Sequence, residues 1–240
     1  MSSGSHYIAL SGLKARADEL DRLASDLANL STAGYKGERD TTAAAERPTF
    51  DRTLQSAIDT VHGGRRVDMA DGALAPTGRN LDVAIDGKGF FVIDTPSGPR
   101  YTRNGHFTIN DNRELVTDDG MPVSGADGQI SLSEGEIRIE GDGSVYVDKV
   151  KAGQLAVVEF ADPQGLTREG TRWRADGLEA KPIETPVVRA GMLEQSNVNV
   201  ADRLAHLTTL SRSFEALQKS ISMMLNDVDG RAIDTLGRRS

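Results

Sequence analysis

Apolar residues recur every seven positions near both ends of the chain and follow a shorter period in the middle. Leu13, Leu20 and Leu27 form one N-terminal column, and Ala9, Leu23 and Leu30 form a second. A spacing of seven draws a narrow coiled-coil seam rather than the broader stripe of a helix lying on a globular core. It predicts a helix over 6–30. Ser31-Thr32-Ala33-Gly34 then interrupts the pattern, and Tyr35-Lys36-Gly37 leads into polar sequence. Towards the other end, Val200, Leu207, Phe214, Ile221 and Val228 stand seven apart, flanked by the columns Leu210, Leu217, Met224 and Leu204, Leu225. This predicts a second helix over 199–228. Asn199 can cap it by accepting from the free amides of the first turn, and Gly230 is a natural stop.

Between these helices the texture changes twice. Residues 37–72 are polar and Ala-rich and read as a linker with a short helix over 49–61. From about 73 to 192 short runs such as "LDVAI", "GFFVI", "HFTI", "EIRIE", "SVYV" and "QLAVVEF" are separated by turn dipeptides. Asp-Gly occurs at 86–87, 119–120, 127–128, 142–143 and 176–177, and Asn-Gly at 104–105. Both dipeptides accept the backbone of tight hairpin turns, so their density predicts a meander of short antiparallel strands. The fold class expected is α+β. A β-rich domain over 73–192 is inserted between an N-terminal segment 1–36 and a C-terminal segment 193–240, whose long helices pair as a coiled coil. Two such helices can complete one core as a pair, or present their seams to other copies of the chain. Contacts so distant in sequence cost loop entropy, so the helices are expected to order fully only on assembly. The strands of 73–190 are expected to fold alone.

Composition narrows the function. The formal net charge of −8 and a pI near 5.1 disfavour a nucleic-acid partner. Without cysteine there is no disulfide, thiolate nucleophile or cysteine-ligated metal. No apolar run approaches the length of a membrane span, and the start "MSSGSHYIALSG" has no basic region followed by an apolar one, so neither membrane insertion nor a cleaved signal peptide is expected. His6, His62, His106 and His206 fall in four separate segments without ligand-like spacing and read as surface or boundary residues. "AIDGKGFF" lacks the leading glycine of a phosphate loop, with Asp82 standing in its place, and reads as a hairpin turn. "TDDG" and "EGDG" lack the ligand pattern of a calcium loop. Trp173 reads as a partly buried strand residue. The expectation is a non-enzyme with no cofactor and no metal. A soluble carbohydrate- or peptide-binding β module is the second class consistent with the turn-rich centre.

Three stretches resemble one known family. "ASDLANLSTAGYKG" resembles the N-terminal signature of bacterial flagellar rod and hook proteins, with Ala24, Leu27, Ala28, Asn29, Thr32, Gly34, Tyr35 and Lys36 matching it and Ser25, Asp26 and Ser31 replacing the usual asparagines. Residues 76–125, from "PTGRNLDVAIDGKGFFVID" to "DDGMPVSG", look like the family's β segment. "AGMLEQSNVNVADRL", residues 190–204 and including Ser196, Asn197 and Val198, resembles the motif that opens its C-terminal helix. "YIALSG", residues 7–12, looks like the proximal-rod members, with the distal-rod members as the alternative. The resemblance implies a structural subunit of the flagellar basal-body rod that leaves the cytoplasm through the flagellar type III export apparatus. It would assemble in the periplasm with other rod subunits and copies of itself, with no turnover. The seam residues Leu13, Leu20, Leu23, Leu27, Leu30, Val200, Leu204, Leu207, Leu210, Phe214, Leu217 and Ile221 would then form the assembly interface.

Overall fold

A computed structural model describes residues 3–40 and 65–237. They form two helices, α1 (Ser3–Ala28) and α2 (Val200–Gly237), and a mainly β remainder of short antiparallel strands, an α+β arrangement. The helix expected over 49–61 lies outside the described residues, as do His62 and most of the segment 37–72. The chain falls into two compact units: one of residues 1–28, 38–66 and 199–240, the other of residues 29–37 and 67–198.

In the helical unit α1 packs against α2. Leu23 and Leu210 are buried, at 3% and 2% exposure, and the contact carries one cross-helix ion pair and one histidine–carboxylate contact. Arg203 Nε lies 3.0 Å from Asp26 Oδ2, and His206 Nε2 lies 3.1 Å from Glu19 Oε1. Asn199 caps α2 as its sequence predicts: its Oδ1 accepts from the amides of Ala201 at 3.0 Å and Asp202 at 3.3 Å. Two ends differ from expectation. Helix α1 stops at Ala28, leaving Leu30 in the turn beyond it. Helix α2 runs through Gly230 to Gly237. One interior glycine costs a helix only about 1 kcal/mol, and the following "RAIDTL" holds no breaker, so the stop is overrun.

The β unit is built around a six-stranded antiparallel sheet. Its order is Thr167–Glu169, Arg172–Arg174, Gly98–Thr102, Phe90–Thr95, Val157–Phe160 and Ala180–Pro182. Its central strands place buried apolar residues on both faces, which is why "GFFVI" reads as an unbroken run and "AVVEF" is interrupted only by the exposed Glu159. Phe91, Ile93 and Val157 enter one core with Val83, Phe107, Leu115, Val145, Leu155 and Val188. Phe90, Val158 and Phe160 enter a second with Tyr101, Leu166 and Trp173. Edge-to-face ring pairs knit both, with Phe91 on Phe107 at 5.2 Å and Tyr101 on Phe160 at 4.7 Å between centroids. Trp173 is a strand residue, and fully buried rather than partly so.

The meander expected from the turn dipeptides is present only in part. Asp119-Gly120, Asp127-Gly128 and Asp142-Gly143 each turn the chain between paired segments. Residues 86–89 of "AIDGKGFF" do not close a hairpin, because Val83–Ile85 pairs with Val188–Ala190 and Phe90–Thr95 with other strands. Asp176-Gly177 joins strands in different parts of the large sheet, and Asn104-Gly105 joins strands of different sheets. Glycine is needed at 105 for close approach rather than for a hairpin turn: a Cβ there would stand 1.7 Å from the Val83 carbonyl oxygen. Conversely, Asp148 and Lys149 form the tight turn between Ser144–Val147 and Val150–Gln154 with φ of 46° and 80°, and neither is glycine. The unit is closed by two ribbons from distant sequence, Val83–Ile85 with Val188–Ala190 and Leu74–Pro76 with Met192–Glu194.

Candidate functional site: the junction of residues 34–37 and 192–198

The two motif segments that flank the helices in sequence meet within the β unit. The strand Met192–Glu194 is held by Leu74–Pro76, and its last residue turns a carboxylate inwards. Glu194 Oε1 accepts from Lys36 Nζ at 2.5 Å and from the Gly72 amide at 2.8 Å, and Oε2 accepts from Arg103 Nε at 2.7 Å. Lys36, Arg103 and Glu194 are all buried. Lys36 Nζ also donates to the Ala70 carbonyl at 2.7 Å. Arg103 donates to the carbonyls of Gly87 and Gly89 and pairs at 2.8 Å with Asp71, whose carboxylate reaches solvent. Burial by itself would raise the Glu194 carboxyl; the Arg103 and Lys36 cations and the donors on its oxygens outweigh it and hold the group below the usual carboxylate range. Burial pushes the Lys36 ammonium down, with Glu194 only partly opposing.

Backbone and amide contacts close the same junction. The Gly34 amide donates to the Glu194 carbonyl at 2.8 Å. Asn197 Oδ1 accepts from the Gly37 amide at 2.8 Å, and Asn197 Nδ2 donates to the carbonyls of Asp68 and Ala70. Gly34 sits at φ +68°, and a Cβ there would come within 2.4 Å of the Arg103 carbonyl carbon, so no other residue fits the turn. The Arg168 guanidinium lies 4.0 Å over the Tyr35 ring and donates to the Lys36 carbonyl at 2.9 Å.

Of the motif residues singled out in the sequence, Gly34, Tyr35, Lys36 and Val198 are buried here, and Asn197 is half-buried at the centre of the contacts. Asn29, Thr32 and Ser196 are half-buried, and Ala28 is exposed at the end of α1. The Thr32 hydroxyl donates to Asn29 Oδ1 at 3.1 Å, and Ser196 Oγ accepts from the Val198 amide at 3.3 Å, so each holds a local turn. Arg103 and Glu194 were not legible as site residues. Each lies in a motif, but no spacing marks a charged side chain as buried.

The seam residues are distributed differently. In the helical unit Leu23 and Leu210 are buried, and Leu13, Leu20, Leu27, Leu207 and Phe214 are half-buried. Val200 and Leu204, at 46% and 48%, are exposed. Leu30, half-buried, belongs to the β unit. Leu217 and Ile221 lie on α2, and their side chains fall outside those described. Of the histidines, His106 and His206 are half-buried, as boundary residues are, with His106 Nδ1 2.7 Å from the buried Asp82 carboxylate. No described helix is long and apolar enough to cross a membrane.

Comparison with known proteins places these features in a family. Residues 84–147 match the domain described as the flagellar hook protein FlgE/F/G D1 domain. Residues 189–228 match the flagellar basal body rod FlgEFG protein C-terminal region, which begins just before Glu194 and runs through most of α2. The flagellar basal-body rod protein FlgF of Rhizobium meliloti (strain 1021) is 32% identical over 96% of this chain and 97% of its own length. FlgF of Caulobacter vibrioides is 30% identical over 97% of each chain. FlgG of Bacillus subtilis (strain 168) is 30% identical over 90% of this chain and 93% of its own. The chain therefore belongs to the flagellar basal-body rod protein family, and is most like its FlgF members.

Proposed function

We propose that the chain is a structural subunit of the proximal flagellar rod, one that polymerises through its terminal helices and turns over no substrate. Family membership supports assembly with other rod subunits in the basal body. The observation that carries the helical mode is the incomplete covering of α2. This 38-residue helix buries Leu210 within its own chain while Val200 and Leu204, which belong to the other two seven-residue columns, stay open. A seam satisfied partly by α1 as a coiled coil and partly by neighbouring copies grows without closing, as a helical shaft requires. The organisation supporting this is a helical assembly domain, 1–36 with 193–240, a linker over 37–72 and a β-rich domain over 73–192. Leu13, Leu20, Leu23, Leu27, Leu30, Val200, Leu204, Leu207, Leu210, Phe214, Leu217 and Ile221 form the interface. The subunit reaches the periplasm through the flagellar type III export apparatus.

Replacing Leu207 and Phe214 together with Asp puts two charges on the seam. Cells carrying only that variant are expected to build no rod and not to swim, while the purified protein keeps its β-strand circular-dichroism signal. Normal swimming would remove the helical interface from consideration. The likeness to FlgG supports a second placement, in the distal rod. Complementation separates the two: the gene is expected to restore motility to a strain lacking its proximal subunit and not to one lacking its distal subunit.

A further inference from the structure

We propose that Lys36, Arg103, Glu194 and Asn197 form a latch that fastens residues 33–37 and 192–198 to the β unit jointly, so that the two segments order and release as one. The inference stands on the junction alone and holds whatever the chain assembles into.

The two segments are separated by 158 residues between Lys36 and Glu194, yet each supplies what the other lacks. Segment 33–37 has no helix or strand of its own, and its polar groups are met from across the junction. The Gly34 amide goes to the Glu194 carbonyl, the Tyr35 carbonyl accepts from the Asn197 amide at 3.3 Å, and the Gly37 amide goes to the Asn197 side chain. The Lys36 ammonium goes to Glu194 and Ala70. In return, lifting 33–37 removes one of the two cations that compensate a fully buried carboxylate. Lifting 192–198 strands both Lys36 and Arg103 in the interior with only the half-exposed Asp71 as counter-charge. A buried charge left without its partner is far costlier than an intact pair, so neither segment can leave cheaply while the other stays. The third segment of the contact, residues 68–72, is clamped between them: Asn197 and Lys36 both donate to the Ala70 carbonyl, and Glu194 takes the Gly72 amide.

Coupling of this kind is reciprocal, and amide hydrogen exchange on the full chain reads it. Two variants are used, and each is scored only at amides its altered side chain does not touch. In Lys36→Met the reporters are Gly37, whose amide is held by Asn197, and Gln195, whose amide donates to the Ala73 carbonyl at 2.8 Å. In Asn197→Ala they are Gly34 and Gly72, both held by Glu194. Loss of buried hydrogen bonds of this class is expected to speed exchange by about tenfold or more at the distant reporters in both variants. Exchange at Phe91 and Val158 in the large sheet should remain unchanged. Faster exchange confined to the mutated segment in either variant would overturn the latch and leave two independent attachments. Uniform acceleration across the large sheet would overturn it too, by making the cluster a support for the whole unit. Should Lys36→Met fail to fold, Asn197→Ala, which removes no charge, gives the decision alone.

Discussion

Glu194 is a carboxylate almost without access to water, bracketed by two cations and a backbone amide, and its ionised form is what the interior is arranged around. Replacing it with Gln leaves Lys36 and Arg103 buried without their anion, an error that costs about 3–5 kcal/mol. Because the folded carboxyl titrates below its ordinary value of 4.5, its contribution is full above that pH and is lost as the pH falls through the folded value. Glu194→Gln should therefore be less stable than the parent at pH 7 and show a shallower loss of stability below pH 4.5; urea unfolding at several pH values measures both. Equal acid sensitivity in the two proteins would mean that other carboxylates set it. At the turn 148–149 the opposite gain is available. Lys149 is held at φ 80°, a region that costs an L-residue with a Cβ about 1–2 kcal/mol. Lys149→Gly is expected to raise the melting temperature by roughly 2–4 °C, and an unchanged or lowered value in a thermal melt would contradict it. Neither residue announces itself in the sequence. Gly34, Tyr35 and Lys36 were visible as a motif, but the burial of an acid or the φ of a lysine is decided by chain segments that lie far away in sequence.

Elements were read more faithfully than residues. Two helices are present, and α2 begins at the Asn199 cap, because capping is a local property. Their ends shifted because one glycine in α2 is a small cost against continued helical sequence, whereas the turn after Ala28 is drawn into contacts of the β unit. What periodicity leaves open is how many helices share a seam. If neighbouring copies complete it, helicity of the purified chain should rise with protein concentration; far-ultraviolet circular dichroism over a dilution series tests this. Full and invariant helix content down to the highest dilution would mean that α1 and α2 satisfy one another. Strands behaved less simply. Apolar runs located them well, but turn dipeptides predicted their neighbours only where the partner lies immediately next in sequence.

For the whole molecule, the mainly β character with two helices was legible, and the closure of the β unit was not. A fragment covering 73–190 carries nearly every strand yet omits Lys36, Asp71, Gly72 and Glu194, so Arg103 would keep its carbonyl acceptors and lose both anions. A fragment covering 29–198 retains them all. The longer fragment is expected to melt in one cooperative transition, and the shorter one at a clearly lower temperature or without a transition. Equal melting temperatures by differential scanning calorimetry would show that the junction adds nothing to the stability of the strands.

The ribbon joining Val83–Ile85 to Val188–Ala190 and its neighbour joining Leu74–Pro76 to Met192–Glu194 also impose an order of events. Two strands near the start of the β unit find their ladder partners only when more than a hundred further residues exist, although the Val83 amide already reaches the Gly105 carbonyl. A nascent chain that has delivered only its first 187 residues leaves both ribbons unmade, and an unpaired strand edge is a template for pairing with the wrong chain. The final residues of the unit act as a completion signal: native shape becomes available only once the last part of the β sequence has arrived.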